Sequence, residues 1–140
     1  MIFVTRRERF NAAHRLSKPE WSDTKNKEVF GKCSSPNWHG HNYELFVTVK
    51  GEPDPVTGFV IDLKILSNII REKVIDKLDH RNINLDVDFM SDLMPSTEIL
   101  ARAIWEQIEP GIHEQGAILH SVRLHETENN FVEYLGKAQR

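Results

Sequence analysis

CSSPNWHGHNYELFVTVK, residues 33–50, is the stretch on which the reading of this chain turns. From Tyr43 onward it alternates. Tyr43, Leu45, Val47 and Val49 share one face, while Glu44, Thr48 and Lys50 share the other with Phe46, the pattern of a half-buried strand. Residues two apart on a strand point the same way. If the strand starts at about residue 39, His39 and His41 therefore fall on the same interior face as the apolar side chains. Two buried neutral imidazoles without partners are costly, so something must satisfy them. Gly40 between them lets another backbone or a ligand come close.

His14 closes the segment FNAAHRL, residues 10–16, at the end of an expected first strand over residues 2–13. If that strand lies beside the one carrying His41, three imidazoles meet. Three neutral imidazoles with a fourth position open are a catalytic zinc arrangement. The single cysteine, Cys33, sits among Lys32, Ser34, Ser35, Pro36 and Asn37. It is a candidate fourth ligand, closing a structural site, or a reactive thiolate favoured by a nearby cation. Plainer readings stand beside these. An HxH pair alone is a weak signal, and a lone cysteine often acts as a small buried hydrophobe. His113 falls in an expected loop and reads as solvated, and His120 and His125 read as packing residues of a last strand. His80 follows Asp79 directly after an expected helix, in the kind of loop where function concentrates.

Working outward, GEPDPVTG (residues 51–58) supplies turn chemistry, and FVID (59–62) reads as the second strand of a hairpin. Residues 17–38 read as a long polar, irregular connection, and 79–95 as a loop. Residues 63–78 take a helical period, with Leu66, Ile69, Ile70, Val74 and Leu78 in one stripe. Residues 96–109 are again helical, capped by Ser96 or Thr97 and ended by Pro110. A last hairpin runs through 117–127 and 130–136. The order predicts an α+β fold with two helices on one face of an antiparallel sheet. A length of 140 residues predicts one domain, residues 1–140. The net charge of -3 and the lack of a basic block argue against a nucleic-acid binder. No apolar run approaches the roughly 18 residues of a membrane span, and MIFVTRRERF lacks the core of a signal peptide. With one cysteine, these features point to a soluble cytoplasmic protein.

Six segments taken together resemble one family: FNAAHRL, GKCSSPNWHGHNYELFVTVKG, DPVTGFVIDL, LDHRNIN, PSTEILA and HETENNFVEY. They stand in the order found in 6-pyruvoyltetrahydropterin synthases. The resemblance implies a T-fold (tunnelling fold): a four-stranded antiparallel sheet with two helices on one face. Three such subunits close a twelve-stranded barrel, and two trimers stack into a homo-hexamer with active sites between subunits. Closure would also remove the exposed sheet edges of a single subunit. It implies one zinc ion per subunit on His14, His39 and His41, a catalytic thiolate at Cys33, and a proton relay from Asp79 and His80 of a neighbouring subunit. Glu126 would anchor the pterin, because an acceptor-only carboxylate matches its donor edge; Thr97 and Glu98 would line the same pocket. The implied reaction converts 7,8-dihydroneopterin triphosphate to 6-pyruvoyltetrahydropterin and triphosphate, and a triphosphate substrate admits magnesium beside it. The resemblance assigns no triphosphate contacts; Arg15, Lys18, Lys32 and Arg81 are candidates. The alternative product is that of the 6-carboxytetrahydropterin synthases of queuosine (7-deazaguanine) synthesis, which use the same substrate and zinc site and release acetaldehyde. Those enzymes usually have three residues between Cys and HGH, whereas this chain has five, SSPNW. The proline of PSTE and the bulky Trp38 depart from the pyruvoyl type. A T-fold zinc scaffold without catalysis is the remote alternative.

Overall fold

The computed structural model describes residues 1–137. Strand β1 (Ile2–His14) pairs antiparallel with β2 (His39–Gly51) along its whole length, from Ile2 opposite Gly51 to His14 opposite His39. Strand β4 (Ile118–His125) lies on the other side of β2, and β5 (Phe131–Tyr134) returns along β4, both antiparallel. These are the four expected antiparallel strands. A two-residue strand, β3 (Arg81–Asn82), adds a fifth, parallel to β1 at Ala12 and Ala13, giving the order β3-β1-β2-β4-β5.

One face of this sheet is apolar and the helices cover it. Helix α2 (Leu63–Ile70) runs through a π-helical turn (Arg71–Ile75) into a last turn, α3 (Asp76–Leu78). With α5 (Thr97–Glu114) it packs onto the sheet face that carries Phe10, Ala12, Tyr43, Leu45, Val47, Val49, Val122 and Leu124. Of the expected stripe, Leu66, Ile70, Val74 and Leu78 are fully buried and Ile69 is partly buried against the core; Leu100, Ile104, Ile108 and Ile112 on α5 are fully buried. Gly111 lets the two helices approach, since a Cβ there would lie 3.3 Å from the Ile69 side chain. Glu8 is the buried acid of β1. Ser67 donates to it at 3.0 Å, and the guanidiniums of Arg6 and Arg71 lie 3.0 and 3.3 Å away, tying the strand to α2 and its π-helical turn.

Several local expectations are corrected. FVID is not a strand. The Asp54 carboxylate caps the Val56 and Thr57 amides at 2.8 and 2.9 Å, and Asp54 and Phe59 close the loop backbone to backbone. Asp62 then caps α2 by accepting from the Lys64 amide. The 17–38 connection folds into α1 (Asp23–Phe30), capped by Ser22, and a 3-10 turn (Gly31–Ser34). The expected loop after α3 holds β3, the short helix α4 (Ile83–Asp86) capped by Asn82, and a 3-10 turn (Asp88–Met90). Helix α5 is capped by Ser96 but does not stop at Pro110. The apolar stripe runs on to the buried Ile112, and its burial outweighs the backbone hydrogen bond that proline forgoes. His113 therefore lies in a helical turn rather than a loop.

Ile108→Ala removes side-chain volume at a fully buried position and is expected to cost about 2–5 kcal/mol. Val56→Ala, at a position 93% exposed, is expected to stay within about 0.5 kcal/mol of wild type. Denaturant unfolding midpoints of the two variants check this contrast.

Candidate metal centre and active site

The antiparallel pairing fixes the centre of the site. β1 ends on His14 and β2 begins on His39, directly opposite; His41 is two residues further along the same face. The three rings meet edge to face, with centroids 4.5 Å apart for His14–His39, 5.1 Å for His14–His41 and 5.0 Å for His39–His41. One nitrogen from each lies within 4.8 Å of the others. His14 is 1% exposed, and its Nδ1–H donates to the Pro95 carbonyl at 2.8 Å. That bond fixes the tautomer and leaves the Nε2 lone pair free, the arrangement that orients a metal-ligating histidine. His14 Nε2, both nitrogens of His39, and His41 Nε2 are buried without an aligned partner among the described residues. Burial depresses the pKa of His14 and of His41, with the neighbouring imidazoles acting in the same direction. Burial thus favours the neutral form of His14 and His41. These three histidines could form a metal site.

Glu126 stands just beyond β4, where Thr127 and Asn130 close a tight turn. Its Oε1 lies 3.0 Å from His41 Nε2, too misaligned for a hydrogen bond. Its Oε2 accepts from the hydroxyl of Thr97, the buried first residue of α5. Glu98, one residue on, is exposed and makes no hydrogen bond among the described residues. Cys33 lies in the 3-10 turn after α1, partly buried and free. That turn is pinned behind His14, because the Leu16 amide donates to the Cys33 carbonyl at 2.8 Å and Arg15 Nε donates to the Ser34 carbonyl at 2.9 Å. Behind the turn is a cavity of about 560 Å³ whose lining includes Arg15, Lys27 and Lys32. Tyr43, two residues past His41, is 1% exposed. Its phenol is pushed above its ordinary pKa by burial first, then by the Glu126 carboxylate and the Cys33 sulfur.

Asp79 and His80 are brought to each other but not to the triad. Asp79 ends α3, and its Oδ1 accepts from the Asn11 amide at 2.9 Å. The His80 amide returns a 2.7 Å bond to the Asn11 carbonyl, and His80 has a φ of 61°. The Asn11 amide, and then His80, hold the Asp79 carboxyl below its ordinary pKa. The carboxylate lies 3.1 Å from His80 Nδ1, and the His80 side chain is 76% exposed. No hydrogen bond or ring contact joins this pair to the triad among the described residues. Sequence reasoning overlooked the Pro95 carbonyl, which leaves no signal because any residue supplies one. It also read Tyr43 only as packing, although Tyr43 shares its parity with His39 and His41.

The depressed imidazole pKa values give a sign for stability. The unfolded chain binds protons first, at the ordinary value of about 6.5. The neutral sites' contribution is therefore complete above that pH and is lost as pH falls through the lower folded values. Metal-free protein is expected to melt at lower temperature at pH 5.5 than at pH 7.5, and the difference should shrink in His14→Gln. Scanning calorimetry at the two pH values checks both.

The family model for 6-pyruvoyl tetrahydropterin synthase matches residues 3–137. The chain is 43% identical to the 6-pyruvoyl tetrahydrobiopterin synthase of Pongo abelii over 134 residues, covering 96% of this chain and 91% of that one. It superposes on the solved 6-pyruvoyl tetrahydropterin synthase of Caenorhabditis elegans with a TM-score of 0.90 at 38% identity, covering 97% and 96% of the two chains. The 6-carboxy-5,6,7,8-tetrahydropterin synthase of Bacillus subtilis is more distant, at 29% identity over 86 residues, 59% of this chain and 55% of that one. The sheet with its helical face is thus a T-fold, and the chain belongs to the 6-pyruvoyl tetrahydropterin synthase family.

Proposed function

We propose that this chain, acting as a single domain, converts 7,8-dihydroneopterin triphosphate to 6-pyruvoyltetrahydropterin with loss of triphosphate. The observation that carries the reading is the set of three converging, unpartnered imidazoles, with the Thr97–Glu126 pair beside them and the Cys33 turn pinned behind His14. The donor set suits zinc: three converging imidazole nitrogens, with the His14 ring oriented by a backbone carbonyl. Bound on His14, His39 and His41, zinc would supply Lewis acidity toward the oxygens of the substrate side chain.

The remaining roles belong to the protein's own side chains. Glu126 accepts hydrogen bonds from the pterin amino group and ring N–H, with Thr97 fixing one carboxylate oxygen and Glu98 at the rim. Cys33, as the thiolate, removes a proton from the substrate side chain. Asp79 orients His80, which moves protons between side-chain positions, so the redox change stays within the substrate. The outward-turned His80 suits an active site between subunits of a hexamer built as a dimer of trimers. Arg15, Lys27 and Lys32 make their cavity a fitting seat for the triphosphate, with or without magnesium. No helix among the described residues is long and apolar enough to cross a membrane, and with the lone free thiol this is in keeping with a cytoplasmic location.

Incubating the zinc-loaded protein with 7,8-dihydroneopterin triphosphate, without a reductase, tests the reading by mass spectrometry. The expected product is 6-pyruvoyltetrahydropterin. A 6-carboxy product with acetaldehyde would assign the chain to 7-deazaguanine synthesis, and absence of turnover would leave a zinc-binding scaffold. In the same assay Cys33→Ala is expected to keep its zinc and lose at least a hundredfold in kcat. His41→Ala is expected to lose most of its zinc, measured by plasma emission spectroscopy. Glu126→Ala should weaken pterin binding by about tenfold or more in a fluorescence titration.

A further inference from the structure

Tyr43 carries a polar atom that the roles above leave unused. Its ring is 1% exposed and stacks on Phe10 at 4.8 Å with an interplanar angle of 12°. The rings of His41 and His14 meet it edge-on, with centroids at 5.6 and 6.3 Å. The hydroxyl is buried and has no hydrogen-bond partner among the described residues. A buried hydroxyl left unbonded costs stability. Phenylalanine would make the same stack without that cost, so for packing alone the oxygen is a liability.

Its place suggests what it serves. Tyr43 shares a sheet face with His39 and His41, one step further into the core. Its ring lies against two of the three imidazoles that would hold the metal, and the Glu126 carboxylate and the Cys33 sulfur are near enough to act on its hydroxyl. A phenol keeps its proton at neutral pH and so donates. The proposed substrate brings oxygen acceptors into this space on its side chain. The internal redox shift raises a side-chain carbon to a ketone; removing the C–H proton next to that carbonyl gives an enolate with negative charge on its oxygen, and a fixed buried donor is worth most where charge develops.

We infer that the Tyr43 hydroxyl is a hydrogen-bond donor to the substrate side chain, aimed at the ketone oxygen that gains enolate charge when Cys33 removes the proton on the adjacent carbon. The inference rests on the proposed reaction and adds a catalytic residue to it. No bond of Tyr43 is made or broken, and its proton stays on the phenol. The loss of stability is accepted in the free protein and recovered when the reacting oxygen arrives, a common trade at active sites.

Tyr43→Phe tests this on the zinc-loaded protein with 7,8-dihydroneopterin triphosphate. The expected result is a kcat at least tenfold lower with KM within about threefold. Zinc content should be unchanged, and the thermal midpoint equal to or above that of wild type. Affinity for 6-methylpterin, which lacks the side-chain oxygens, should match wild type. Wild-type kcat, or an effect confined to KM, overturns the inference. So does a variant that loses zinc, melts several degrees lower or fails to fold, because the hydroxyl would then have a structural partner. Wild-type protein that does not turn over the triphosphate overturns the functional reading itself, an outcome separable from failure of the Tyr43 assignment.

Discussion

The register of β1 against β2 is the constraint on which the rest depends. The ladder runs from Ile2 opposite Gly51 to His14 opposite His39 without a bulge. Strand faces alternate, so one register places Phe10, Ala12 and His14 on the same face as His39, His41, Tyr43, Leu45 and Val47. A slip of one residue would turn one strand's histidines away from the other's and expose its apolar set. The core and the triad are therefore specified together. The apolar half of the ladder holds the pairing that its polar end needs, and no separate device aligns the imidazoles.

This coupling explains what could be read from the sequence. The alternation of residues 43–49 and the helical stripe from Leu66 to Leu78 each carry a period, and burial follows that period closely. The triad was legible because it continues the strand's parity. The elements missed are those fixed by local polar bonds or by tertiary burial. In 51–62, one aspartate side chain captures two amides and makes a closed loop where β-branched residues suggested a strand. At Pro110 the proline signal was sound, but burial of Ile112 overrode it. Glu126, Asp79 and Thr97 carry no signal of their own; Glu126 and Thr97 bond each other across 29 residues, Asp79 accepts from Asn11 across 68, and only the resemblance to a family pointed to them.

The site is assembled from groups the chain leaves unsatisfied, and backbone strain sits beside them. Trp38 enters β2 at a φ of 67°, and His80 follows α3 at 61°. Residues with a Cβ adopt this region at a cost of roughly 1–2 kcal/mol. Each is compensated locally. The Trp38 amide bonds to the Ser35 carbonyl, closing the Cys33 turn onto the start of the strand, and the His80 amide bonds to Asn11. Two of the three non-glycine residues with positive φ among the described residues thus stand beside proposed site residues, while the third, Asp92, lies in the turn after Met90. The helix-covered core, with its fully buried Leu and Ile residues, supplies the stability that tolerates it.

β1 also divides the chemistry. Its last turns present His14 on the core face, while the amide and carbonyl of Asn11 point sideways to hold Asp79 and His80 at the strand's edge. The same few residues thus position the histidine triad and an exposed imidazole beside a carboxylate. A rigid strand cannot turn its edge toward its own core face, and the His80 ring is directed away from the rest of the chain. The relay role proposed for His80 therefore depends on what packs against that edge: under the proposed hexamer it is a neighbouring copy, and the proposed thiolate, zinc and relay would then come from two chains.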